Sequence, residues 1–277
     1  MGVRVGPASF RIGSAWRAPV AALADLYHDY PPAAAIPEAT VRLEPARPWR
    51  RWLRPAVTIG GDYTLPEAAP LPLAQALLAA EMGMNLQMVL GCRRHLLLHA
   101  AVVERDGRAL VLSGESGSGK STMAALLMQA GWRLLGDEFA LVEAATGLLW
   151  PFPRPISLKN ASIALPGGGR WGPMLRGTPK GDIRHLIPDA ASLARMDEPA
   201  RPALIVFPSF GFAAAARAMP RAEAFVRLTQ ASTNYTALGE AGFEALTRLV
   251  REVPAVALDY PDSAAAFARI EALWAAA

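Results

Sequence analysis

The pattern of apolar and polar positions changes character near residue 70. Before it the apolar runs are short. Val20–Tyr30 carries Ala22, Leu23, Leu26, Tyr27 and Tyr30 at helical spacing, and Pro31 and Pro32 stop it. Ser9–Gly13, Thr40–Leu43 and Ala56–Gly60 are patterned as strands. Pro66, Pro70 and Pro72 mark a join. Residues 1–66 are therefore expected to form a small N-terminal α+β unit, and residues 67–277 a second domain.

Beyond the join the runs are longer. Leu71–Cys92 predicts a helix, Leu96–Glu104 an apolar strand and Ala109–Ser113 a second strand. Arg105-Asp106-Gly107-Arg108 lies between them, and an Asp-Gly pair between apolar runs signals a hairpin. With Asp106 and Gly107 as the turn, the numbers of paired residues sum to 213, so His99 falls opposite Gly114. Ser121–Ala130 predicts a helix, with Gly131 placed as its C-terminal glycine. Trp132–Gly136 and Ala203–Phe207 predict strands, Thr229–Tyr235 a polar loop or helix start, and Phe243–Val250 and Ala264–Trp274 two C-terminal helices. There is no internal repeat.

Composition narrows the class. The chain has 277 residues, 28 Lys+Arg and 24 Asp+Glu; 52% are hydrophobic and 19% charged, which argues for a folded chain with a sizeable core. The single cysteine, Cys92, excludes a disulfide framework and a cysteine-rich zinc module. His95 and His99 would stand about 13 Å apart in a strand, too far to share a metal. The helical stretch Leu71–Cys92 carries Gln75, Glu81, Asn85 and Gln87, which argues against a membrane span. Asp25, His28 and Asp29 interrupt the apolar positions near the start, so no secretory signal is read there and a cytoplasmic protein is expected.

Positive charge is scattered, with one dense group: Arg47, Arg50, Arg51 and Arg54, interleaved with Trp49 and Trp52. It reads as a solvated edge or as a nucleic-acid contact. No RNA-recognition, zinc-finger or helix-turn-helix signature accompanies it, so no nucleic-acid partner is expected. Only three basic residues are lysines: Lys120, Lys159 and Lys180. A lysine kept in an arginine-rich chain points to a need for a compact, mobile ammonium.

Lys120 lies in the main motif. Gly114-Glu115-Ser116-Gly117-Ser118-Gly119-Lys120-Ser121, followed by Thr122, fits G-x-x-x-x-G-K-[ST]. Its glycines allow a backbone nest of inward N–H groups for a phosphate, and the following helix adds its positive end. The lysine would reach the β/γ-phosphates, and the Ser121 hydroxyl would serve Mg²⁺. The downstream helix carries the chain roughly 16 Å away. A five-residue strand returns it roughly 16 Å, bringing Asp137 and Glu138 back beside the loop. Two carboxylates there suit Mg²⁺ or the deprotonation of a hydroxyl. His99 would reach the γ-phosphate or the acceptor.

Three stretches together resemble the catalytic core of HPr(Ser) kinase/phosphorylase: Leu98–Val103, Val111–Ser121 and Gly131–Glu138. His99 stands fifteen residues before the first loop glycine, and the acidic pair begins seventeen after the loop lysine. The longer pattern, with Pro153–Asn160 and Thr178–Gly181, resembles the HPr kinase-related kinase A branch. The resemblance implies an α/β P-loop kinase of the HPr kinase and phosphoenolpyruvate carboxykinase-like type, with a mixed sheet and flanking helices. It implies ATP and Mg as cofactors, Asp137 as the base, Ser121, Asp137 and Glu138 toward the metal, and His99 and Lys120 at the phosphate. It implies a seryl acceptor on a peptide or small protein, and in this branch a small peptide-binding chaperone as companion; a homo-oligomer is a further expectation. The chain departs from the family by Glu138 in place of the second aspartate. It also lacks the Glu-Ile-Arg-Gly signature and the C-terminal phosphorolysis motif.

Weaker positions complete the reading. Pro153–Lys159 is expected as a loop at the mouth of the site, with Arg154 and Lys159 as acceptor contacts. Gly167–Gly172, with Lys180, Arg184 and His185, is expected as a mobile acceptor-binding segment. Two further functions stay open: a small-molecule kinase, and a nucleotide-binding assembly or sensor module that transfers nothing.

Overall fold

The computed structural model describes all 277 residues. In chain order, the N-terminal part holds β1 (Gly2–Val5), β2 (Ala8–Ser14), α1 (Arg17–Leu26), β3 (Ala39–Pro45), β4 (Ala56–Gly61), β5 (Leu71–Pro72) and α2 (Ala76–Gly91). Then come β6 (His95–Leu98), β7 (Ala100–Arg105), β8 (Arg108–Ser113), α3 (Lys120–Gln129), β9 (Arg133–Gly136), β10 (Ala140–Glu143), β11 (Leu149–Trp150) and β12 (Ile156–Lys159). The rest comprises β13 (Trp171–Thr178), β14 (Gly181–Leu186), α4 (Ala190–Ala194), β15 (Arg201–Phe210), β16 (Ala215–Ala218), α5 (Arg221–Ala231), α6 (Tyr235–Leu238), α7 (Glu240–Glu252), β17 (Ala255–Tyr260) and α8 (Ser263–Ala276).

The fold is mixed α/β with mixed sheets. A six-stranded sheet has the order β16-β17-β15-β8-β7-β9. In it β8, β15 and β17 run parallel, while β7 is antiparallel to both β8 and β9. Four strands, β9, β8, β15 and β17, therefore point the same way. Their C-terminal ends, at Gly136, Ser113, Phe210 and Tyr260, share one edge. The N-terminal strands form a separate sheet, β1-β2-β3-β4-β5, and two three-stranded sheets, β11-β10-β6 and β12-β14-β13, complete the set.

The β7–β8 hairpin has the expected register, with Ala100 opposite Ser113 and Arg105 opposite Arg108. α3 ends where expected: the N–H of Trp132 reaches the Leu127 carbonyl, and that of Gly131, at φ +91, the Met128 carbonyl, 3.0 Å each. This six-to-one and five-to-two pair is the glycine helix stop that turns the chain into β9. Behind it Trp132 is fully buried against Trp274, 4.7 Å between ring centroids. β9 is tied to β7 by a buried pair between Arg133 and Glu104, and Arg133 also donates to the carbonyls of Arg195 and Glu198 at 2.8 and 2.9 Å.

Three expectations are corrected. The single strand Leu96–Glu104 is two strands in different sheets. At the break the His99 N–H donates to Ala231 at 2.8 Å, and Leu98 bridges Ser232. Apolar residues continue across the break, so the pattern does not reveal the change of partner. The join expected after residue 66 falls inside the N-terminal unit, because β5 is that sheet's fifth strand and α2 packs on β3 and β4. The Gly167–Gly172 stretch is only partly loop: Trp171 and Gly172 begin β13, and Gly172 is buried.

The helical stretch Leu73–Gly91 is long and apolar enough to cross a membrane, yet it packs on the N-terminal sheet with 56% of its most apolar 18-residue window buried, and Glu81 and Gln87 are buried with it. The Arg47–Arg54 stretch is a short exposed turn in which the Arg47 and Arg51 guanidinium groups lie over the Trp49 and Trp52 rings.

Candidate nucleotide and phosphoryl-transfer site

The site is built where the parallel strands end. β8 leads directly into Gly114–Gly119, and α3 leaves from Lys120. Gly114, Gly117 and Gly119 have φ of +155, +87 and +95, the left-handed side that lets successive N–H groups turn inward. Gly119 is also sterically required: a Cβ there would sit 2.1 Å from the Tyr260 hydroxyl oxygen. That hydroxyl donates to the Ser118 carbonyl at 2.6 Å, so the end of β17 braces the loop. Lys120 is buried, and its Nζ donates to the Gly114 and Glu115 carbonyls at 2.7 and 2.8 Å. Burial lowers its pKa, while the Asp137 and Glu138 charges act the other way. Ser121 and Thr122 open α3 half-buried, and Glu115 and Ser116 are exposed on the loop. The Ser113 and Ser118 hydroxyls are buried without partners.

Asp137 follows β9 at the same edge. It is 3% exposed, and its Oδ2 is buried without a hydrogen-bond partner. Burial first, then the neighbouring Glu138 charge, raise its pKa to about 6, while the Ser121 hydroxyl, the Ser157 backbone N–H and the Lys159 ammonium favour the ionised form. The Ser121 hydroxyl belongs to the loop–helix junction. Base candidate and nucleotide loop are thus neighbours.

Glu138 has φ +80, a sparsely populated conformation for a residue with a side chain. Its Oε2 lies 3.6 Å from His99 Nδ1. Burial lowers the His99 pKa, opposed by Glu138 and aided by Lys120. The lowering favours the neutral imidazole over the imidazolium. It sits one step beyond the Ala100–Ser113 pair, beside the first loop glycine.

The acceptor candidates separate. Lys159, at the end of β12 and half-buried, acts electrostatically on Asp137, Lys120 and His99. Lys180 is exposed at the β13–β14 turn. Arg154 is no acceptor contact: it is 3% exposed and enclosed by Glu81, Asn85 and Tyr27. His185 is no part of a mobile segment either. It is fully buried, with Nε2 2.5 Å from Glu81 Oε2. A short polar proline-rich stretch reads as loop whether its arginine faces solvent or a buried acid, so only the packing decides. Gly167–Arg170 instead line a cavity of about 630 Å³ at the C-terminal end of α3, with Met128, Gln129 and Pro188. The ten-residue helix α3 separates that cavity from the loop by roughly 15 Å.

Tyr260 and Ser157 carry no sequence signal. Tyr260 is one apolar strand residue among several, and Ser157 acts through its backbone. Strand direction alone brings them in. The donors present suit a triphosphate and Mg²⁺: a nest of glycines, a buried ammonium, the Ser121 hydroxyl and a carboxylate oxygen without a partner.

The family model described as SynChlorMet cassette protein ScmC matches residues 74–154, from α2 through the loop and the acidic pair to Arg154. No curated protein matches. Among solved structures, the HPr(Ser) kinase/phosphatase from Coxiella burnetii is similar over 65% of this chain and 99% of its own, at 14% identity and a TM-score of 0.31. A TM-score this low does not establish a shared fold.

Proposed function

We propose that this chain is an ATP- and Mg-dependent kinase that transfers the γ-phosphoryl group to a seryl hydroxyl of a peptide or small protein. The reading includes a P-loop kinase fold of the HPr kinase and phosphoenolpyruvate carboxykinase-like type. It rests on one observation above all: Asp137, buried with an unpartnered oxygen, sits next to Ser121 of a glycine-rich loop that ends in a buried lysine.

Each residue then has a task. The Gly114–Gly119 backbone cradles the β-phosphate. Lys120 exchanges its two loop carbonyls for phosphate oxygens, gaining full charges in place of dipoles. Ser121, Asp137 and Glu138 would hold Mg²⁺, which neutralises charge on the phosphates when bound. Asp137 takes the proton from the acceptor hydroxyl. A pKa of about 6 suits that work, since the group is mostly ionised at neutral pH yet is a stronger base than an ordinary carboxylate. His99 holds Glu138 in place from the hairpin side.

The test uses labelled ATP with the intact chain and a panel of serine peptides and small molecules. Asp137→Asn is expected to lower transfer by about 100- to 10,000-fold, the range for a lost general base, while affinity for the Mg-free nucleotide, held by the loop and Lys120, changes by less than about threefold. Transfer that continues undiminished in this variant would remove the base assignment. Transfer only to small molecules would replace the peptide acceptor. Nucleotide binding with no transfer to any acceptor would make the chain a sensor or assembly module.

A further inference from the structure

We infer that the buried Arg154–Glu81 pair is a positioning device through which the N-terminal unit sets the placement of Asp137; the inference rests on the kinase reading above. The link runs through Pro151–Ser157. Pro151, Pro153 and Pro155 leave this segment few backbone donors. Phe152 donates to the Leu135 carbonyl at 2.5 Å, and Arg154 donates back to Phe152 at 2.8 Å. Phe152 also bridges Gly136, the residue before Asp137, while the Ser157 N–H faces the Asp137 carboxyl. The segment therefore runs beside the residues that lead into Asp137 and brings the Ser157 backbone to its carboxyl.

Its middle is gripped by the N-terminal unit. The Arg154 guanidinium meets Asn85 Oδ1, lies 3.4 Å from Glu81 Oε1 and donates to the Tyr27 hydroxyl at 3.4 Å. Glu81 is held in turn by His185. The Tyr30 hydroxyl donates to the Pro153 carbonyl at 2.6 Å. Tyr27 and Tyr30 follow α1, and Glu81 and Asn85 belong to α2. With the backbone short of donors, the buried guanidinium fork sets how the segment lies along Asp137. Arg154 and Glu81 are positioning residues, since neither reaches the loop.

The test pairs the parent with the double variant Glu81→Met/Arg154→Met. Replacing both members by apolar side chains strands neither the Arg154 nor the Glu81 charge, so the variant is expected to stay folded, with a melting temperature lowered by no more than about 10 °C because His185 and Asn85 lose their partners. Hydrogen exchange at the Phe152 and Ser157 amides should then run at least about tenfold faster, with α1 and α2 unchanged. Mg-ATP turnover, with water as acceptor, should fall about 100-fold, while the Kd of a fluorescent ATP analogue stays within about threefold. Unchanged exchange at these two amides would overturn the inference. So would acceleration spread evenly over α1 and α2, which would mark a loosened core. If the parent binds no ATP analogue, the kinase reading fails, and the exchange comparison still decides whether the pair positions Asp137.

Discussion

Asp137 and Glu81 are buried to nearly the same depth, 3% and 6% exposed, yet their carboxyls are pushed in opposite directions. Desolvation raises Asp137 to about 6, helped by the like charge of Glu138. Desolvation acts on Glu81 too, but His185 and Arg154 outweigh it, and the pKa falls to about 2. The first is a carboxylate the fold leaves partly unanswered, beside a loop made for anions. The second is answered twice over, between two units that it joins. Burial alone therefore does not mark a reactive group; burial without compensation beside a binding surface does. The reading of one as base and the other as part of a clamp follows from that difference.

The largest effect on nucleotide binding should come from closing the loop opposite Asp137. Gly119→Ala adds a Cβ that would collide with Tyr260 at a φ of +95, and nucleotide affinity should drop by at least about 100-fold in an equilibrium titration. Unimpaired binding would dissociate the loop from the nucleotide.

Stability should separate the two carboxylates by sign. Glu81 is lowered from 4.5 to about 2, so its ionised form contributes stability above pH 4.5 that is lost as pH falls toward 2. Glu81→Gln should cost on the order of 3 kcal/mol at pH 7. Asp137 is raised from 3.8 to about 6, so its contribution is fully present below pH 3.8 and is lost as pH rises through about 6. Asp137→Asn should therefore stabilise by up to about 3 kcal/mol at pH 8 and by nothing at pH 3.5. Denaturant titrations at these pH values check both, and equal signs would erase the contrast.

Activity carries the same titration. The kcat/KM for phosphoryl transfer should fall about tenfold per pH unit below about 6, as Asp137 in the free enzyme gains its proton. A profile flat to pH 5 would assign the proton elsewhere. The smallest effect belongs to the brace: Tyr260→Phe removes one hydrogen bond to Ser118 and should weaken nucleotide binding about three- to tenfold. An unchanged affinity would make that contact incidental.

Much of the candidate site was legible along the chain because it is local. The hairpin register follows from an Asp-Gly turn, and the loop from its own glycines and lysine. The arrival of Asp137 follows from helix rise, a glycine stop and strand rise, all set by covalent geometry. The break at His99 was not legible, since apolar residues continue through a change of sheet. Arg154 and His185 read as acceptor-side contacts, because the acid that holds them is more than 70 residues away from either. Tyr260 had no mark at all until parallel strands brought its hydroxyl to the loop. Sequence alone thus determined which candidate groups the loop and the strand end bring together, because backbone conformation and spacing are short-range. Only the tertiary structure decided which charges are answered and which are left open, because desolvation and pairing depend on neighbours that the chain supplies from afar.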